Sequence, residues 1–305
     1  MPRVACIGEC MLELSGADNR AMTLSYGGDT LNTAVYLSRL GIETDYVTAL
    51  GDDPYSDWMI DQWQAEAVGT SLVVRARGRV PGLYAIRTDG AGERQFFYWR
   101  DQAPARDLFS FPESDALAGR LVGYDCIYLS GITLSLYPAE SRAILYGLLD
   151  AVRRNGCRIV FDTNYRARGW SDAGAARRVM SEILTRTDLA LPTFGDDYQV
   201  FGDADAAACA DRLHAAGVAE AVVKRDAAGC LVSAPDIREH VPTVARADPL
   251  DTTGAGDSFN AGYLAARLSG AGPVEAARRA HRLAGEVIMH RGAIMPRAAM
   301  PGGER

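Results

Sequence analysis

Asp251-Thr252-Thr253-Gly254-Ala255-Gly256-Asp257-Ser258-Phe259, followed by the apolar run Asn260 to Leu268, reads as a sharp turn of small residues that opens a helix. A helix beginning there aims free amide N–H groups, and the positive end of its dipole, at whatever lies in front of it. That makes an anion site. Asp257 falls in the first helical turn and sets a carboxylate beside it. An anion site and a carboxylate in one place suit a general base poised against a transferring phosphoryl group. The plain structural alternative is a helix with a glycine-rich entry and no ligand.

Working outward, a second turn of the same kind, Gly27-Gly28-Asp29-Thr30-Leu31-Asn32, leads into another helix N-terminus near the start of the chain. Asp29 and Asn32 form an acceptor and donor pair suited to the hydroxyls of a polyol. Between the two turns, apolar runs rich in Val and Ile alternate with segments of helical period. This is the pattern of an α/β protein with a mostly parallel sheet and helices on both faces. Val4 to Ile7, Thr44 to Leu50, Cys126 to Leu129, Arg158 to Phe161, Leu189 to Leu191 and Ala221 to Lys224 read as core strands. Asp53-Pro54 predicts an N-cap and first-turn proline, and Ala255 to Leu268 and Pro273 to His290 read as the last helices.

Two runs break this rhythm. Leu83 to Thr88 and Gln95 to Trp99 are β-branched and aromatic, and the DGAGE stretch at 89–93 reads as a hairpin turn between them. Together with Met11 to Leu14, Met22 to Leu24 and Leu72 to Arg75, they predict a small sheet standing off the main one. The expectation is a single α/β domain over residues 1–305, with inserted segments at about 10–27 and 71–101 forming a β-sheet lid. Such a lid would cover the C-terminal edge of the main sheet, where open α/β folds bind ligands. Exposed strand edges in it make a homo-oligomer reasonable.

Composition excludes several classes of partner. The 305 residues are 48% apolar and 23% charged, proportions of a folded domain rather than of disorder, collagen or coiled coil. A net charge of −7 and an isoelectric point near 5.2 argue against a general grip on nucleic acid or an anionic membrane. The uncharged stretch from Cys126 to Ala139 is shorter than the roughly 18 residues a membrane span needs. The opening MPRVACIGEC runs straight into a strand, so the expected location is cytoplasmic. Six scattered cysteines without a C-x-x-C pair, and four histidines without ligand spacing, suggest neither a disulfide framework nor a zinc site. Lys224 is the only lysine, and it lies between Val223 and Arg225. A Walker A loop, which needs Gly-Lys-Ser/Thr, is therefore absent.

Taken together, Gly27-Gly28-Asp29 with Asn32-Thr33-Ala34, and Asp251-Thr252 with Gly254-Ala255-Gly256-Asp257, resemble the two motifs of the ribokinase (phosphofructokinase-B) family of carbohydrate kinases. Their order and spacing fit over nearly the whole chain. Gly8-Glu9-Cys10-Met11, Pro81-Gly82-Leu83-Tyr84, Phe97-Tyr98-Trp99-Arg100, Phe161-Asp162 with Asn164-Tyr165-Arg166, Val222-Val223-Lys224-Arg225 and Arg291-Gly292-Ala293-Ile294 resemble the branch acting on 2-keto-3-deoxygluconate.

The resemblance implies a ribokinase-like fold and ATP-dependent phosphorylation of this sugar acid at its 6-hydroxyl. Asp257 would take the proton, and the amides of Gly254, Ala255 and Gly256 would hold charge on the phosphates. Gly28, Asp29, Asn32, Tyr84, Tyr98, Arg100 and Arg166 fall at substrate positions, the two arginines as planar forks for the acid's carboxylate. Thr193, Lys224, Gly229 and His281, with Gly254 and Gly256, fall on the nucleotide side. Mg²⁺ would bridge the ATP phosphates, and a monovalent cation such as K⁺ would lie near Asp251 and Thr252. Where the family often carries Asn-x-x-Glu, this chain has Thr193-Phe194-Gly195-Asp196, so Asp196 is the expected metal-positioning acid. Arg168 reads as a surface charge. Competing readings are a fructokinase- or ribokinase-type enzyme for a neutral sugar, a Schiff-base aldolase using Lys224, and a sugar sensor without catalysis.

Overall fold

The computed structural model describes residues 1–18, 21–88, 94–243, 246 and 248–301. In chain order the strands are β1 (Arg3–Ile7), β2 (Met11–Asp18), β3 (Ala21–Gly27), β4 (Glu43–Gly51), β5 (Val73–Ala76), β6 (Leu83–Thr88), β7 (Arg94–Trp99), β8 (Cys126–Ser130), β9 (Arg158–Asp162), β10 (Leu189–Ala190), β11 (Glu220–Lys224), β12 (Cys230–Ala234) and β13 (Ile237–Val241). The helices are α1 (Asp29–Arg39), α2 (Pro54–Ala65), α3 (Leu117–Arg120), α4 (Gly131–Leu136), α5 (Ala139–Arg153), α6 (Ala173–Leu184), α7 (Phe194–Phe201), α8 (Ala206–Ala215), α9 (Ala255–Leu268) and α10 (Pro273–Val287).

Nine strands form the main sheet in the order β13-β12-β11-β10-β9-β8-β1-β4-β5. Neighbours from β5 through to β11 run parallel, and β12 and β13 add an antiparallel edge. The residues explain this arrangement. Successive side chains of a strand point to opposite faces, and here both faces are apolar, as a sheet covered on both sides requires. Ala5, Ile7, Ile127, Leu129, Ile159, Phe161 and Val223 feed one buried cluster. Val4, Cys6, Tyr46, Cys126, Tyr128, Val160 and Val222 feed the other, which α1, α9 and α10 complete. All six cysteines are buried and unpaired.

The chain enters the sheet at β1, steps to β4 and β5 on one side, then returns to β8 on the other. The strand order therefore reverses beside β1, and a crevice opens at the carboxyl ends of β1 and β8. Glycines at both ends let neighbours close in. A Cβ at Gly8 would stand 2.1 Å from Thr30 Oγ1, and one at Gly131 would stand 2.0 Å from the carbonyl of Thr163.

The second sheet has four strands in the order β3-β2-β6-β7. Register places Glu13 opposite Tyr84, and Tyr84 opposite Tyr98, on one face. One segment was expected here and lies elsewhere: β5 pairs parallel with β4, Thr48 beside Val73, at the edge of the main sheet. The physical reason is the α2 crossover, which returns the chain alongside β4 and lets β5 bury Val74 and Ala76. The hairpin turn read at 89–93 lies outside the described residues. Asp53 caps α2 as expected, its carboxylate accepting the amides of Tyr55 at 2.9 Å and Ser56 at 3.2 Å. α10 ends at Val287, short of the expected His290, and the Ile288 carbonyl instead accepts the amides of Leu250 at 2.9 Å and Asp251 at 3.2 Å. No helix among the described residues is long and apolar enough to cross a membrane.

Candidate active site

α9 opens at Gly254, whose φ is +77°, a left-handed conformation that favours glycine. A Cβ there would also stand 2.6 Å from the Ala293 carbonyl. The turn thus packs against the Arg291-Gly292-Ala293-Ile294 segment. α9 lies against α1, and Asn32 Nδ2 donates to Asp257 Oδ2 at 2.8 Å while Thr33 Oγ1 donates to the Asp257 carbonyl at 3.2 Å. Asp257 is half-buried, with its carboxyl pushed up to about 7. Desolvation is the main cause. The negative charge of Asp29 adds to it, the Asn32 bond opposes it, and Asp162 and Lys224 act in opposite senses from further off. Asp29 accepts from Asn164 Nδ2 at 2.8 Å, and burial raises its own carboxyl. Asp29 and Asn32 of α1 therefore meet Asp257, 225 positions beyond Asn32, at the crevice.

Beneath them lies a network that sequence reasoning did not find. Lys224, 7% exposed, donates to Asp162 Oδ2 and to Asn260 Oδ1, both at 2.9 Å. Asn260 Nδ2 donates to Asp162 Oδ2 at 2.6 Å and to Tyr128 Oη at 2.9 Å. Lys224, expected to offer its charge to a phosphate, has its ammonium engaged by buried carboxylate and amide oxygens. The same burial weighs against the Schiff-base reading, because such an amine must be reachable by a substrate carbonyl.

The arginines and tyrosines of the rim are each held by a local partner. Arg100, just after β7, pairs with the buried Glu9, which sits between β1 and β2. Arg166 donates to Asp196 Oδ2 at 3.2 Å and to the Tyr165 carbonyl at 2.7 Å, with half its side chain exposed. The residues expected to meet the acid and the metal thus touch each other. Tyr84 donates to Glu13, which also accepts from Ser25 Oγ at 3.0 Å. Tyr98 stacks on Tyr84 with centroids 5.6 Å apart, and the Arg168 guanidinium lies 3.6 Å above its ring. Arg168 is therefore a bridge from the loop after β9 to the small sheet. Glu9, Glu13 and Asn164 were not singled out as site residues, although Glu9 stood inside the quoted Gly8-Glu9-Cys10-Met11 segment.

Residues 1–299 match the pattern of the pfkB family carbohydrate kinases. The chain belongs to that family. The chain is 45% identical over 307 residues to the 2-dehydro-3-deoxygluconokinase of Dickeya dadantii, covering 98% of each. It is 46% identical over 308 residues to the 2-dehydro-3-deoxygluconokinase of Escherichia coli K12, covering 98% of this chain and 99% of the relative. Among solved structures, a putative Ribokinase II from E. coli in complex with ATP and Mg²⁺ superposes with a TM-score of 0.84 at 20% identity, covering 96% of this chain and 94% of that one. The fold is the ribokinase-like fold of the pfkB kinases.

On the side of this pfkB kinase expected to face nucleotide, the Asp251 carboxylate staples the glycine turn, accepting the amides of Thr253 at 3.0 Å and Gly292 at 2.7 Å. A monovalent cation would have to share those oxygens. Thr193 sits before α7 and bridges Lys224 in parallel register. Gly229, with φ of +86°, lets its turn approach the Val241 carbonyl, 2.2 Å from where a Cβ would be. His281 is used in packing: its ring stands edge-on to Phe259 at 4.9 Å, and burial lowers its pKa. Asp196 presents a carboxylate tied to the half-exposed Arg166, an oxygen donor of the kind a hard divalent cation takes alongside several waters. A divalent cation would have to share that carboxylate with Arg166. The other acidic cluster, Asp197, Asp203 and Cys209, is already occupied by Arg212, which donates to both carboxylates.

Proposed function

We propose that this pfkB kinase transfers the terminal phosphoryl group of ATP to the 6-hydroxyl of 2-keto-3-deoxygluconate, giving the 6-phosphate and ADP. The observation carrying the reading is the meeting of Asp257 with Asn32 and Asp29 at the open end of α9. Asp257 accepts the proton of the attacking hydroxyl. Its carboxyl, raised toward neutrality, is ionised enough at pH 7 to act and basic enough to take the proton. The amides of Gly254, Ala255 and Gly256, at the positive end of α9, face the charge that develops as the phosphoryl group moves. Asp29, with Asn164 fixing its orientation, accepts from sugar hydroxyls. Arg100 and Arg166 turn N–H groups toward the acid's carboxylate, and Tyr84 and Tyr98 line the face of the small sheet above. Asp196, with Thr193 nearby, would hold magnesium, which when bound offsets phosphate charge.

Two observations favour the acid over a neutral ketose: arginines on the rim of an otherwise acidic protein, and two full-length relatives above 40% identity that bear the name of 2-dehydro-3-deoxygluconokinase. The test is ADP release across 2-keto-3-deoxygluconate, 2-keto-3-deoxygalactonate, fructose and ribose. The expected result is a kcat/KM for 2-keto-3-deoxygluconate at least a hundredfold above either neutral sugar, the size of effect that lost charge-assisted contacts produce. Preference for fructose or ribose would overturn the reading.

A further inference from the structure

Lys224 is the chain's single lysine, and its bonds point into the protein. Three strands of the main sheet converge on one side chain of α9. Tyr128 of β8, Asp162 of β9 and Lys224 of β11 all bond to Asn260, at 2.9, 2.6 and 2.9 Å. Asn260 lies three residues beyond Asp257, so the two share a face of the helix. Any rotation or slip of α9 on the sheet would break all three bonds at once. The ammonium also lies 3.7 Å from where a Cβ of Gly256 would be, directly behind the glycine turn.

We infer that Lys224 is a positioning residue for phosphoryl transfer: with Asp162 and Tyr128 it clamps α9 to the sheet through Asn260, one turn beyond Asp257, and so aims Asp257, and it does not ligate the nucleotide. The inference rests on the base role proposed for Asp257. The groups facing Asp257 are Asn32 and Asp29 from α1, Asp162 from β9 and Lys224 from β11, with the phenols of Tyr36 and Tyr128 also in range. Among them Lys224 favours the ionised carboxylate, while Asp29 and Asp162 oppose it. Removing Lys224 therefore moves the acid limb of kcat/KM to higher pH, and removing the Asp162 charge moves it to lower pH.

The test compares Lys224→Met, Asp162→Asn and the double variant Lys224→Met/Asp162→Asn with wild type. It measures kcat, both KM values, the pH profile, and ADP affinity by calorimetry, with folding checked by circular dichroism. For Lys224→Met the expected result is a kcat lowered about tenfold or more, with ADP affinity within about twofold of wild type. The limbs of the two single variants should move in opposite directions, Lys224→Met to higher pH and Asp162→Asn to lower. The double variant strands neither charge, and its limb should fall between those of the singles. It also carries the test should Lys224→Met fail to fold: lowered kcat with unchanged ADP affinity supports the clamp. A tenfold loss of ADP affinity with the limb in place would make Lys224 a phosphate ligand and overturn the inference. So would a limb that neither single variant moves. A wild-type enzyme inactive on the keto acid would instead sink the substrate assignment, since these measurements run with any accepted ketose and ADP binding needs no acceptor.

Discussion

The glycine turns that open α1 and α9 look alike on paper and are held for different reasons. At Gly28 φ is 179°, an extended backbone any residue adopts, and what forbids a side chain is the Glu9 carbonyl, 2.2 Å from where a Cβ would sit. At Gly254 the backbone itself is left-handed, and the Ala293 carbonyl crowds it as well. Gly256 has only the Lys224 ammonium near its Cβ position, at 3.7 Å. The first turn is a packing joint that seats the sugar-side helix against the chain leading into the small sheet. The second is a backbone device with an open front, which is what an arriving phosphate requires.

The largest expected effect breaks the comparison at its centre. Asp257→Asn should lower kcat about 10²- to 10⁴-fold, the usual worth of a general base, while ADP affinity measured by calorimetry stays put. A normal kcat would show that the α9 turn holds no base. Asp29→Asn, on the other turn, should act mainly on KM for the sugar. It should also shift the acid limb of kcat/KM, expected near pH 7 in wild type, to lower pH, because the like charge that raises the Asp257 carboxyl is gone. Next in size, Arg166→Ala should raise KM for the keto acid about tenfold and leave a neutral ketose nearly untouched; equal effects in steady-state assays would remove the carboxylate contact. The smallest effects concern the glycines. Gly254→Ala should cost about 1–3 kcal/mol of stability through its left-handed backbone, whereas Gly256→Ala should stay within about 0.5 kcal/mol of wild type. Denaturant titration separates the two, and equal losses would mean that the second turn is a packing joint like the first.

What could be read in the sequence was local, and what could not was a matter of long-range pairing. The strand runs, the Asp53 cap and both glycine turns follow from neighbours a few residues apart, and the structure contains them. β5 escaped because a four-residue apolar run carries no sign of which sheet will take it; the α2 crossover decides that. Lys224 reads from the sequence as a strand-end cation on the nucleotide side, and its partners Asp162 and Asn260 could not be joined to it because they lie 62 and 36 positions away. Arg100 and Glu9 are separated by 91 positions and Arg168 reaches a ring on another sheet, so no spacing rule could have joined them. The resemblance to a kinase family placed residues at the site, but it did not tell which of them hold one another.

The docking of α9 on α1 also has a bearing on biosynthesis. Asn32 and Asp257 are 225 positions apart, so a polypeptide emerging from the ribosome completes α1 and the small sheet long before Asp257 exists. A product interrupted anywhere before α9 would carry Asp29, Arg100 and Arg166 yet lack Asp257, the base proposed above.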